Sequence, residues 1–200
     1  MSLSYLLRSV LSLLLVIGVS VPVFAGEPTE QIKQTTDRIL SIVKDPALKV
    51  PPKARERRRL ILQAVNERFN WEEMARRALG RHWAERTVEE KKEFVPLFSE
   101  FLERTYMSKV EDYSGEKVQY GEESKEGDYA VVKVDIITEK NKDIYIDYRL
   151  QKEGNEWLVY DVSIEGVSLV NNYRTQFNSI IQQSSYENLV KRLKAKVAQE

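Results

Sequence analysis

Cysteine is absent from this 200-residue chain, and histidine occurs once, at His82. The first absence removes disulfide frameworks, thiolate nucleophiles and a lipid-modified cysteine behind a leader. The second leaves no ligand set for zinc or iron, so no metal site is expected. Glycine is scarce, with 8 positions that form neither a phosphate loop nor a G-x-S-x-G elbow. Charge of one sign is not in excess either. The 31 basic and 31 acidic side chains balance, which argues against a nucleic-acid partner. Repeats and low-complexity tracts are missing, and the largest proline cluster is Pro51-Pro52.

What is present begins with a leader. Arg8 supplies a basic n-region, Leu11 to Val19 a short apolar run, and Val23-Phe24-Ala25 a cleavage pattern. That run is shorter than the roughly 20 residues a transmembrane helix needs. Residues 1–25 are therefore expected to be a signal peptide, and residues 26–200 one soluble domain in an extracytoplasmic space.

Helical periodicity comes first in the remaining chain. Ile32, Ile39, Leu40 and Val43 mark one helix over Thr29–Lys44, closed by Pro46; Leu60, Ile61, Ala64 and Val65 mark a second over Lys53–Phe69. Asn70 with Glu73 forms a capping-box pair for a short helix, Trp71–Leu79, stopped by Gly80. Thr87 with Glu90 repeats the signature and opens the longest helix, which runs towards Tyr113. Phe94, Phe98, Phe101, Leu102 and Tyr106 form its broad stripe, and Pro96 is expected to bend it.

From Lys117 the period becomes two. Ala130, Val132, Val134 and Ile136 share one strand face; Ile144, Ile146, Tyr148 and Leu150 share the next. Short connections at Glu139–Lys142 and Gly154-Asn155 suit hairpins. Trp157 to Ile164 alternates as a further strand, turns at Glu165-Gly166, and restarts as a helix with Leu169, Tyr173, Phe177 and Ile180. A last helix opens at Ser184 and Glu187. The expected fold class is α+β: a four-stranded antiparallel sheet covered by helices, cone-like in the manner of nuclear-transport-factor folds, with an apolar cavity. Such a shape hosts enzymes as well as binders.

Acid–base chemistry inside the cone would fall to Asp147, Asp161 or Tyr148. Strand parity turns both aspartates away from the apolar face, so they read as solvated or paired surface acids. No catalytic residue is assigned. His82, beside Trp83, reads as a hydrogen-bonded loop residue.

Three blocks carry a family resemblance: FNWEEMARRALGRHW (Phe69–Trp83), EFVPLFSEFLERTY (Glu93–Tyr106) and WLVYDVSIEGVSLVNNYRTQF (Trp157–Phe177). With the closing leucine–lysine helix they resemble the MlaC-type periplasmic phospholipid-binding proteins, also called toluene-tolerance auxiliary proteins. The family often has Phe-Asp-Phe where this chain has Phe69-Asn70-Trp71, a change that keeps a cap and a bulky ring. The resemblance implies a soluble carrier in the periplasm of a Gram-negative bacterium, holding a diacyl phospholipid as cargo and no cofactor. It implies exchange between an outer-membrane lipoprotein–porin complex and an inner-membrane ABC transporter with an MCE-domain ring, which maintains outer-membrane lipid asymmetry. A monomer is the simplest form of such a shuttle.

The task has a physical requirement of its own. Each buried methylene is worth about 0.8 kcal/mol, so two acyl chains represent on the order of 20 kcal/mol of exposure to avoid. A pocket of roughly 1,000 Å³ or more is needed. The expected lining is Val132, Val134, Ile146, Tyr148 and Val162 from the sheet, with Phe98, Phe101, Leu102 and Tyr106 from the long helix. Val167, Tyr173 and Phe177 close one side. Arg174 reads either as a headgroup contact or as a tie to Glu165 across the turn. Arg55, Arg57, Arg58 and Arg59 read as a solvated helix face or an approach to an anionic surface. Two other functions compete: a cone-fold enzyme acting on a small hydrophobic ligand, and a periplasmic adaptor or chaperone.

Overall fold

The computed structural model describes residues 28–138 and 142–198; the expected signal peptide and most of the Glu139–Lys142 connection lie outside them. Four helices precede the sheet: α1 (Pro28–Lys44), α2 (Ala54–Asn66), α3 (Trp71–Leu79) and α4 (Val88–Glu111). The strands are β1 (Lys117–Glu126), β2 (Tyr129–Ile137), β3 (Ile144–Glu153), β4 (Glu156–Ile164) and β5 (Val167–Ser168). Two helices close the described chain, α5 (Leu169–Gln183) and α6 (Tyr186–Ala198).

The sheet is an antiparallel meander in the order β1-β2-β3-β4-β5, so the expected count of four strands is corrected to five. The extra strand arises at the Glu165-Gly166 turn, where both residues have positive φ (50° and 78°). That backbone matches the right-handed twist of flanking strands and folds Val167 back onto Ile164. Glutamate is strained there, and its carboxylate compensates by accepting hydrogen bonds from the Tyr145 amide and Lys142.

The helix starts follow their capping chemistry. Thr87 and Glu90 complete a reciprocal box at α4, which continues as one helix through Pro96. At α3 the Asn70 side chain accepts from the Glu73 amide, but Glu73 itself bonds Arg76 and Arg77, so the expected box is half-made. Ser185 rather than Ser184 caps α6, its hydroxyl accepting from the Asn188 amide. The second helix ends at Asn66 rather than Phe69 because the chain leaves to meet β4. There Asn70 N–H donates to the Val159 carbonyl and Val159 N–H to the Arg68 carbonyl.

Two large apolar clusters result. One lies among α3, α4, α5 and α6. The other covers one sheet face beneath Ile32 of α1. A smaller cluster joins Val43, Ile61 and Met107. A buried polar knot seats α1: Arg68 Nη1 donates to Gln31 Oε1 (2.5 Å), Glu156 (2.8 Å) and the Trp157 carbonyl (3.1 Å). Gln31 accepts the Trp157 amide as well. Arg68 Nε donates to the Thr35 hydroxyl besides, so the guanidinium is buried with several acceptors around it, as burying a charge demands.

Candidate site between the sheet and the helices

Register fixes the sheet side of the site. Tyr120, Val134, Ile146 and Ile164 form one row across β1 to β4, and Val132, Tyr148 and Val162 form the next. Burial along these strands is graded. Val132, Leu150 and Val159 are inaccessible, whereas Ile136, Ile146, Tyr148 and Ile164 stay partly accessible and Ile144 is 39% exposed. α1 covers the tight end, and the apolar face opens towards the other end.

The helical side is built from α4 and α5. Tyr173 packs edge-on against Phe98 (5.8 Å between centroids) and Phe101 (5.3 Å), and lies 5.6 Å from Phe177. Phe98 and Phe177 sit 5.5 Å apart and also meet Phe94. These two rings, with Leu102, are buried among helices, while Phe101 and Tyr106 keep accessible surface. The helices that closely approach the strands are α1, α3 and α5, whereas α4 packs chiefly on α3 and α6. The expected lining residues therefore fall into two groups, one per wall. Val167 joins neither, being 56% exposed on β5.

Enclosure without full packing is clearest at Tyr148. Burial, with Tyr120 close by, pushes its phenol up to about 12, yet the side chain retains accessible surface. A ring whose phenol is raised by burial but which keeps accessible surface is incompletely packed by its neighbours. Burial likewise raises Tyr120 and Tyr173. Tyr120 escaped the sequence reading because a bulge between Tyr120 and Glu123 interrupts the alternation of β1. The Val118–Tyr120 spacing was the available signal.

The remaining candidates have structural partners. Asp161, expected at the surface, is 5% exposed. Its carboxylate accepts from the Val170 amide (3.1 Å) and the Ser168 hydroxyl (2.6 Å), and so caps α5. Arg149 completes the pair at 3.4 Å. Asp161 is thus a paired capping acid, buried because β5 folds back over it. Arg174 does not tie to Glu165, whose partner is Lys142. Instead its stem lies over Gly80, where an added Cβ would come within 3.2 Å of Arg174 Cδ. His82 is buried, with Nε2 3.0 Å from Asn178 Oδ1.

Two open clefts lie elsewhere. One of about 690 Å³ runs along Arg55, Arg58, Arg59 and Leu62 of α2; one of about 440 Å³ is lined by Glu90, Glu93, Lys191 and Lys194, with Glu93 and Lys194 in direct ion pairing. Both are shallow and fringed by charge, so neither can keep hydrocarbon dry.

A meander with one incompletely packed apolar face, roofed by helices, defines an α+β protein with an internal apolar wall. Residues 33–195 match the family described as MlaC protein, and the chain belongs to that family. It is 22% identical over 177 residues to the intermembrane phospholipid transport system binding protein MlaC of Haemophilus influenzae, covering 86% of this chain and 83% of that one. Its fold is similar to that of the phospholipid-binding protein from Ralstonia solanacearum solved in complex with a phospholipid. That match has a TM-score of 0.76 and 27% identity over 87% of this chain and 98% of the other.

Proposed function

We propose that this protein is a periplasmic phospholipid carrier, its leader removed on export. It takes diacyl phospholipid at the open end of the sheet and exchanges it between an inner-membrane ABC transporter with an MCE-domain ring and an outer-membrane lipoprotein–porin complex. That traffic serves outer-membrane lipid asymmetry. The supporting observation is the likeness to a phospholipid-bound relative over nearly the whole of that relative's length. The incompletely packed wall at Ile146, Tyr148, Phe101 and Tyr106 agrees with it.

The reading involves no catalysis and no cofactor: binding offsets the exposure of two acyl chains, about 20 kcal/mol, by apolar contact alone. Val132, Val134, Val162, Leu102 and Tyr173 support the two walls, and Phe98 and Phe177 stiffen the helical one from behind. Arg174, seated over Gly80, is the cation closest in sequence to Tyr173 and remains our candidate for the headgroup.

Native mass spectrometry of protein purified from a Gram-negative periplasm tests the proposal. Co-purified diacyl lipid is expected. Ile146→Trp, which fills space on the accessible part of the wall, should lower loading while the circular dichroism spectrum is retained. A clean unliganded mass, with no uptake from labelled vesicles, would falsify the carrier reading.

A further inference from the structure

The apolar sheet wall contains two hydroxyls that the protein leaves unanswered. Tyr120 and Tyr148 lie diagonally across β2, separated by the Val132–Val134 step, with their side chains on the same face. The Tyr120 hydroxyl is buried without a hydrogen-bond partner. Thr36, whose hydroxyl donates to the Ile32 carbonyl, lies close enough to offset part of the burial effect on the Tyr120 phenol, but its geometry to Tyr120 falls short of a bond. Among the described residues no hydrogen bond reaches the Tyr148 hydroxyl either. Leaving a buried hydroxyl unpaired costs free energy that a phenylalanine would not incur. Tyr120 is such a hydroxyl, and the unpaired, still accessible phenol of Tyr148 on the far side of β2 marks the same wall as a place where a ligand supplies the acceptors.

The chemistry of that ligand group follows from what surrounds the pair. Both phenols stay neutral, since burial raises them, so they act as hydrogen-bond donors. The wall around them is Val132, Val134, Ile146 and Val162, and the side-chain charges that act on the two phenols are the acids Asp37 and Glu30, with no Lys or Arg among them. A phosphate placed there would lack a counter-charge. A neutral carbonyl oxygen would be satisfied. The level is also right: the rows of Tyr120 and Tyr148 sit between the open rim at Ile136 and Ile144 and the closed end at Ala130 and Leu150. An amphiphile entering tails first has its ester groups between headgroup and hydrocarbon.

Building on the carrier reading, we propose that Tyr120 and Tyr148 form a polar subsite that donates hydrogen bonds to the acyl ester carbonyls of the bound lipid. The subsite makes the carrier selective for ester-linked over ether-linked chains, a specificity that an apolar pocket alone cannot supply.

Delipidated protein offered equal amounts of diester and diether phosphatidylglycerol of matched chain length tests this, with native mass spectrometry reading the ratio bound. One neutral hydrogen bond corresponds to about a two- to tenfold preference. The unmodified protein should therefore carry an excess of diester lipid in that range. Tyr120→Phe and Tyr148→Phe should each reduce the excess, and the double variant should bind both lipids in equal ratio. The thermal midpoint of unliganded Tyr120→Phe should not fall, because no bond within the protein is lost. Equal uptake of both lipids by the unmodified protein, or an excess that survives in the double variant, overturns the assignment and leaves the carrier reading standing. Uptake of neither lipid overturns the carrier reading and this proposal together.

Discussion

The helical layer and the sheet wall are both apolar, yet they are packed to different standards. Among α4, α5 and α6, Phe94, Phe98, Phe177 and Tyr186 meet at centroid distances of 5.5–6.1 Å in stacked, tilted and edge-on pairs. On the sheet, Ile136, Ile146, Tyr148 and Ile164 share a face with the fully buried Val132 but keep accessible surface. Close packing is what makes a core stable, and its absence is what leaves room for a guest. The molecule separates the two standards by layer: aromatic rings give rigidity on one side, and the less tightly packed aliphatic face leaves room on the other.

The largest effect expected from this contrast is at Phe98. Phe98→Ala should cost about 3–5 kcal/mol in urea unfolding, since the ring is inaccessible and contacts three aromatic neighbours. Tyr148→Ala, removing a similar volume from the wall, should cost less than half as much in unliganded protein. Equal losses would show that the wall is packed as tightly as the core. Next comes the junction between the layers: Asp161→Ala should cost about 2 kcal/mol, because it leaves the buried Val170 amide in the first turn of α5 without an acceptor, removes the partner of the Ser168 cap hydroxyl and leaves Arg149 partly unpaired. Thr87→Ala removes half of the α4 capping box far from either wall, and should cost about 1 kcal/mol without altering lipid loading.

The smallest effect concerns Glu103 on α4. Burial first, and the nearby Glu100 second, hold its carboxyl above the ordinary 4.5. A raised folded-state value makes ionisation unfavourable, so the penalty is complete above that value and fades as pH falls through it. Glu103→Gln should therefore raise the thermal midpoint at pH 7–8 and lose that advantage near pH 4. An advantage that grows towards acid pH would reverse the sign.

Much of the helical layer was legible in the sequence because its signals are local. The bounds of α3, the Thr87–Glu90 box and the Phe98–Tyr173–Phe177 stripes follow from spacing and caps within a turn or two. The sheet wall was only half legible. Alternation gave Val132, Val134, Ile146 and Tyr148 their common face, but the β1 bulge hid Tyr120 behind a parity change at Gly121 and Glu122. Asp161 was read correctly as facing away from Val162 and wrongly as a surface acid. Its cover, Ser168 and Val170, comes from residues that return over it only because Glu165 adopts a left-handed backbone. Long-range closure of this kind leaves no periodic trace.

The attachments between roof and sheet are unevenly distributed. Along β4 they involve the strand's own backbone or its buried acid: Val159 with Arg68 and Asn70, Trp157 with Gln31, Asp161 with Val170. At the opposite margin, among the described residues, the Glu123 carboxylate ties β1 to α1 by accepting from the Thr29 amide and hydroxyl. The molecule is bound like a book, with its spine at β4 and its fore-edge at β1. Swelling by a guest therefore strains the Glu123–Thr29 clasp first, and a bulkier guest parts the covers there while the spine keeps its register.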